Sequence, residues 1–215
     1  MDYNSIKTNS GLPFLELDLQ FPYETAMQEI LAMPKDLFVE HKNDMSKAWY
    51  QFVMYGISFA ETRSDWNHPD NTWTPEALEH MPCTVEWFKN YYPSNKFSKI
   101  KLALLKPGGS IDEHSDGNIK GFASGQNSVL NIAANNPDGA EFHIEDTIIP
   151  FQDGSAMLID FSKPHRLENK SKIDRYHILI GHTDETYEFK TKVIESYIEK
   201  RKKMHLEKLN GSEEK

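Results

Sequence analysis

Cysteine is nearly missing from this chain. Cys83 stands alone in 215 residues, so no disulfide can close within it and no cysteine-based zinc site is available. Long apolar runs are missing too, as is any signal or transit pattern, so no membrane span is expected and a reducing, cytoplasmic setting is. Positive charge is in deficit: 24 basic against 33 acidic residues leave a formal net charge of −9. That balance argues against broad binding to nucleic acid or to anionic membrane surfaces. There is neither an internal repeat nor a low-complexity linker.

What is present suffices for one folded domain. Hydrophobic residues make up 38% of the chain and aromatics 12%, enough to bury a sizeable core. The partial alternation from Leu12 to Leu19 predicts an early strand. Tyr23, Ala26, Met27, Ile30 and Leu31 recur at helical spacing until Pro34. Trp49 to Phe59 reads as a strand and 64–73 as a loop. Thr74-Pro75 reads as a helix cap and first turn. Leu78, Met81, Val85 and Phe88 continue a helical stripe that Pro82 splits in two.

Beyond Phe97 the pattern turns to β. Lys99 to Leu105 predicts a strand ended by the turn Pro107-Gly108-Gly109. Further short strands are expected near 111–116, 128–134, 140–149, 155–160, 165–169 and 173–182, with turns at Asn136-Pro137-Asp138-Gly139 and Gln152-Asp153-Gly154. Such spacing suggests a sandwich or jelly roll. Residues 184–209 read as a helix with Tyr187, Ile194, Tyr197 and Ile198 on its buried side. The whole forms a single domain: helices and edge strands over 1–96, a β core over 97–183, and a closing helix and tail over 184–215.

Chemistry concentrates in the β half. His114 and Asp116 lie two residues apart, and on a strand such residues share a face, so both can reach one ion. His165, stiffened by Pro164, offers a third ligand. Two imidazoles and one carboxylate on one side of a ferrous ion leave positions open for a co-substrate and dioxygen, though affinity alone would also admit manganese, cobalt, nickel or zinc. Arg175 interrupts the apolar run Ile173 to Ile180; it is either ion-paired or exposed, or its planar fork grips a carboxylate. His177 faces the same way, as a second donor to that ligand or as an ordinary core histidine.

These residues sit in the stretches Leu104-Leu105-Lys106-Pro107-Gly108-Gly109, Ile111-Asp112-Glu113-His114-Ser115-Asp116, Gly154-Ser155-Ala156-Met157-Leu158-Ile159-Asp160, Pro164-His165-Arg166-Leu167-Glu168-Asn169 and Asp174-Arg175-Tyr176-His177. Over about residues 100–184 they resemble the aspartyl/asparaginyl β-hydroxylase family of Fe(II)- and 2-oxoglutarate-dependent oxygenases. The resemblance implies a mainly β protein with flanking helices around a double-stranded β-helix, a cupin-like jelly roll. It implies Fe(II), 2-oxoglutarate and O2 as cofactor and co-substrates, with His114, Asp116 and His165 on the metal. It implies Arg175, His177 and Asn131 on 2-oxoglutarate, and hydroxylation of an unactivated C–H bond. The animal peptide hydroxylases of the family lack the carboxylate ligand; with Asp116 present, the chain looks nearer to the bacterial free-proline hydroxylases.

Expected substrates are therefore a free amino acid, with proline as the candidate, or alternatively an Asp, Asn or Pro side chain in a peptide. A non-catalytic cupin-like binding protein is the third reading. Candidate substrate contacts are Arg63, Trp66 and His68, with Trp49 and Trp73 nearby in the pattern, and a glycine-containing loop at 118–127. Asp160 reads as a steering residue for a ligand or as a turn cap. His41, His80, His143, His182 and His205 are read as ordinary surface or core histidines.

Overall fold

The computed structural model describes residues 2–41, 44–61, 68–91, 99–116, 129–181 and 187–210. Among these residues the elements run α1 (Tyr3–Asn9), β1 (Phe14–Leu17), α2 (Tyr23–Ala32), β2 (Val39–Glu40), β3 (Ser46–Gly56), β4 (Thr72–Trp73), α3 (Pro75–His80), α4 (Pro82–Tyr91), β5 (Lys99–His114), β6 (Val129–Ala133), β7 (Ala140–Ile144), β8 (Thr147–Ile148), β9 (Ala156–Ile159), β10 (His165–Asn169), β11 (Arg175–Gly181) and α5 (Tyr187–Asn210). All strand pairs are antiparallel.

One curled sheet accounts for the β core. Its order is β1-β9-β6-β11-β5-β10-β7-β8, with β3 on the opposite edge of β5. The first half of β5 pairs with β11 through Lys99 to Leu105, and the second half pairs with β10 through Ser110 to His114. β5 thus borders two layers, one of β9, β6 and β11 and one of β10, β7 and β8, which close over each other as a jelly roll. The turn expected at Pro107-Gly108-Gly109 does not end the strand. Residues 106–109 form a bulge inside it, facing Lys47 and Trp49 of β3, with Gly108 at φ +71°. Gly109 permits the close approach, since a Cβ there would lie 2.8 Å from the Leu105 side chain and 3.0 Å from the Lys47 carbonyl.

Alternation divides the side chains. Leu15, Leu17, Phe52, Met54, Ile100, Leu102, Leu104, Tyr176, Ile178 and Ile180 form one cluster under the helices with Ala26, Ile30, Ala77, Val85 and Phe88. Phe14, Val129, Ala133, Phe142, Ile144, Phe151, Met157, Ile159 and Phe161 form a second cluster between the layers. The polar residues of interest belong to the face of this second cluster.

Other sequence expectations meet corrections here. The strand at 140–149 is a hairpin of β7 and β8, turned at Glu145, whose φ of +48° no glycine announces. Helix α1 was not anticipated; Asp2 caps it, accepting from the Ser5 amide. On α5 the fully buried side chains are Phe189, Val193 and Ser196, with Ile194, Tyr197 and Ile198 only partly covered. Leu78 lies off the α3 stripe and is exposed, Ala77 taking the buried place. No helix among the described residues is long and apolar enough to cross a membrane.

Thr74 caps α3 as expected. Its hydroxyl accepts from the Ala77 amide at 3.3 Å and donates to the Val53 carbonyl at 3.1 Å, tying the helix to β3. Thr74→Ala removes both bonds and is expected to cost about 1–2 kcal/mol, read as a melting temperature lower by about 2–6 °C.

Candidate active site

Three metal-ligand side chains converge where β5 ends against β10. His114 and His165 are register partners across those strands, and their ring centroids lie 4.3 Å apart. Asp116 follows the strand end, held by its amide to the Phe161 carbonyl at 3.0 Å, and its carboxylate comes within 3.7 Å of His114 Nε2. One ligand atom from each of the three lies within 4.8 Å of the others.

Both imidazoles are oriented by the same device. His114 Nδ1 is 2.8 Å from the Asp112 carbonyl and His165 Nδ1 is 2.9 Å from the Lys163 carbonyl. A carbonyl can only accept, so Nδ1 carries the proton and Nε2 keeps a bare lone pair. Such a backbone partner is the usual support of a ligating histidine. Phe161 meets the His165 ring edge-to-face at 4.7 Å, and Phe142 lies at 5.9 Å. Burial pushes the His165 pKa down, helped by neighbouring His114 and opposed by the Lys163 carbonyl and Asp116, which favours the neutral ligating form. This donor set, two neutral imidazoles and one carboxylate on one side, suits a ferrous ion with positions left open.

A second polar group sits deeper between the layers. Arg175 is 3% exposed, and desolvation pushes its guanidinium down to about 9. Its Nε donates to Asn136 Oδ1 at 3.0 Å, and Phe151 lies under the cation at 5.8 Å. The Asn136 amide is fixed, since its Nδ2 donates to the carbonyls of Ala140 and Phe151. No carboxylate among the described residues pairs with Arg175. It is therefore neither exposed nor ion-paired among those residues, and a buried cation in that state is costly unless an anion completes it.

His177 lies beside Arg175. Its Nδ1 is 2.7 Å from Asn131 Oδ1, which accepts from it, and 3.3 Å from an Arg175 terminal nitrogen. Its Nε2 is buried with no hydrogen-bond partner among the described residues. Burial and Arg175 push the His177 pKa well down, opposed by the Asn135 backbone, so the ring is neutral.

The remaining candidates are less central. Arg63, Trp66, His182 and the 118–127 loop lie outside the described residues. His68 is in an exposed turn, where Nδ1 accepts the Asp70 amide at 3.2 Å. Trp73 is a core residue, 8% exposed against Tyr55 and Phe88. Asp160 caps its own turn through the amide and hydroxyl of Ser162. His143 joins Glu141 and Glu168 in a second three-residue group on the outer face. There Arg166 donates to His143 Nδ1, His143 Nε2 donates to Glu141, and Lys170 pairs with Glu168, so the group is satisfied by its own charges. Sequence reading missed Asn136, which looked like a turn residue only, and Phe151.

A family model for the aspartyl/asparaginyl β-hydroxylases matches residues 23–183. The chain belongs to this family. It is an oxygenase enzyme of the hydroxylase class. No curated protein matches it. Among solved structures, a 2OG-Fe(II) oxygenase family protein from Burkholderia pseudomallei is similar, at 12% identity and TM-score 0.54 over 84% of this chain and 89% of that one. A prolyl hydroxylase from Trichoplax adhaerens, in complex with a hypoxia inducible factor peptide fragment, is similar at 14% identity and TM-score 0.50 over 88% and 90%. At these identities the likeness concerns the fold, and it agrees with the jelly roll of this hydroxylase.

Proposed function

We propose that this hydroxylase is an Fe(II)- and 2-oxoglutarate-dependent dioxygenase that hydroxylates a C–H bond of a free amino acid, with proline the candidate. His114, Asp116 and His165 would hold the iron, and Arg175, His177 and Asn131 the 2-oxoglutarate. The single observation that carries the reading is a buried guanidinium, without a counter-anion among the described residues, inside the barrel that also holds the His-Asp-His trio. When bound, the iron supplies oxygen activation coupled to decarboxylation of the keto acid.

The chain's own work is orientation and exclusion of water. The fork of Arg175 matches a carboxylate in two-point fashion, with the neutral His177 ring beside it. Asn136 holds the fork in plane, and Phe151 keeps it dry and packs edge-on against His177 at 4.6 Å. The carbonyls of Asp112 and Lys163 fix both imidazoles before any metal arrives.

The deciding experiment is an oxygen-dependent screen of free amino acids and peptides with Fe(II) and 2-oxoglutarate. Succinate release and a product heavier by one oxygen atom are expected with a free amino acid. Turnover restricted to peptides would move the substrate assignment to the alternative. Binding of 2-oxoglutarate with no succinate from any substrate would favour the non-catalytic reading.

A further inference from the structure

The inner face of the β9–β6–β11–β5–β3 layer carries polar groups that neither the metal-facing trio nor the Arg175 group uses. Strand register sets them in rows. Gln51, Ala103 and His177 lie abreast on β3, β5 and β11. Val53, Lys101, Leu179 and Asn131 form the row on one side, and Trp49, Leu105 and Arg175 the row on the other. The small Ala103 side chain sits between the longer Gln51 and His177.

Gln51 is the anomaly. It is 0% exposed, and neither its Oε1 nor its Nε2 has a hydrogen-bond partner among the described residues. A buried amide unsatisfied at both ends is unfavourable unless something completes it. Lys101, also buried, has its ammonium 5.6 Å from the centre of the Trp49 ring. Rooted in the row beyond Gln51, its side chain therefore runs past that amide toward Trp49. Trp49 is partly exposed, with its ring centroid 4.2 Å from that of His41. Lys99, on the same face, is tied to the Glu61 carbonyl at 2.9 Å.

We propose that Lys101, Gln51 and Trp49 form the subsite that grips a carboxylate of the molecule to be hydroxylated. This rests on the functional reading above and narrows its substrate to a molecule bearing a free carboxylate. The Lys101 ammonium and the Gln51 Nε2–H donate to that carboxylate. Gln51 Oε1 accepts from an N–H on the same molecule, and Trp49 covers its apolar part. The two acids then lie on either side of Ala103, 2-oxoglutarate on Arg175 and His177 and substrate on Lys101 and Gln51. The carboxylate can come from the backbone of a free amino acid or from an acidic side chain in a peptide.

The test compares twenty free L-amino acids, their primary amides, and capped peptides with an internal Asp or Asn, using the iron-loaded protein with 2-oxoglutarate. Acids are expected to be hydroxylated and the matching amides to fall by at least about 100-fold in kcat/KM. Turnover of a free acid assigns the backbone source, and turnover of the Asp peptide alone assigns the side chain. Lys101→Met, which keeps the length and suits a buried site, is expected to raise substrate KM by about 100-fold while the KM for 2-oxoglutarate moves by less than about three-fold; Lys101→Arg recovers part of the loss. Gln51→Leu is expected to raise substrate KM by about ten-fold.

Equal use of acids and amides overturns the proposal, as does a Lys101→Met defect that falls on 2-oxoglutarate instead. A second readout does not need turnover. Under anaerobic conditions the acids, and not the amides, are expected to raise the melting temperature of the wild-type protein and to lose that effect in Lys101→Met. A chain that never converts 2-oxoglutarate ends the oxygenase reading, and the anaerobic comparison then still decides the subsite: no acid-dependent shift overturns it.

Discussion

Arg175→Met is expected to give a protein that is harder to unfold and almost unable to use 2-oxoglutarate. In the ligand-free chain the guanidinium is a buried charge with no carboxylate partner among the described residues, supported only by Asn136, the His177 ring and the Phe151 face. Desolvation presses its pKa down to about 9, yet arginine does not give up its proton in proteins, so the strain stays in the fold. An apolar side chain of similar length relieves it. The bond to Asn136 is lost, which returns part of the gain, and a net stabilisation of about 1–3 kcal/mol is expected. Urea denaturation of the metal-free protein reads it directly. The KM for 2-oxoglutarate should rise by at least about 100-fold, since a desolvated carboxylate loses its only fixed charge. An unchanged KM would take Arg175 out of the site, whatever the stability does.

The second large effect is expected at the trio. His114→Ala and Asp116→Ala should each lower succinate formation by at least about 1,000-fold through loss of metal. His114 and Asp116 have side chains 22% and 42% exposed, so neither change should unfold the chain. The readout that separates lost metal from lost structure is stabilisation by Mn(II), a redox-quiet stand-in. At 100 times its dissociation constant it should stabilise the wild type by about 2.7 kcal/mol and leave both variants unmoved. Asp116 is the more informative of the two, because it supplies the only carboxylate of the trio. Full activity in Asp116→Ala would mean that two histidines suffice here.

The trio and Arg175 were legible in the sequence because their residue types are rare in β strands and their spacing is rigid. A histidine and an aspartate two apart, then His165 and Arg175 ten apart, leave few other chemistries open. The strands from β6 onward were legible for a similar reason, with Asn136 to Gly139 and Gln152 to Gly154 marking turns. What escaped is what depends on partners across the sheet. Pro107-Gly108-Gly109 carries every local sign of a chain reversal, yet β3 pairs on both sides of it and draws it into a bulge. Glu145 turns a hairpin without glycine because the Pro164 carbonyl accepts its amide at 2.8 Å. Nothing local marks Gln51 and Lys101 as interior within their strands; their burial depends on what packs over that face. Packing against Phe88 of α4 turns Trp73 from a candidate contact into core.

β5 is one continuous ribbon hemmed by different neighbours along its two halves, and this limits how the enzyme can change. A one-residue deletion between Ala103 and the bulge would either flip Lys101 and Ala103 to the other face or drag His114 off its mate in β10. Either outcome breaks the alignment between the two halves. Variation in what the cavity admits must instead come from exchanging side chains in place, Ala103 first among them, since any larger group there would fill the space between the two acids.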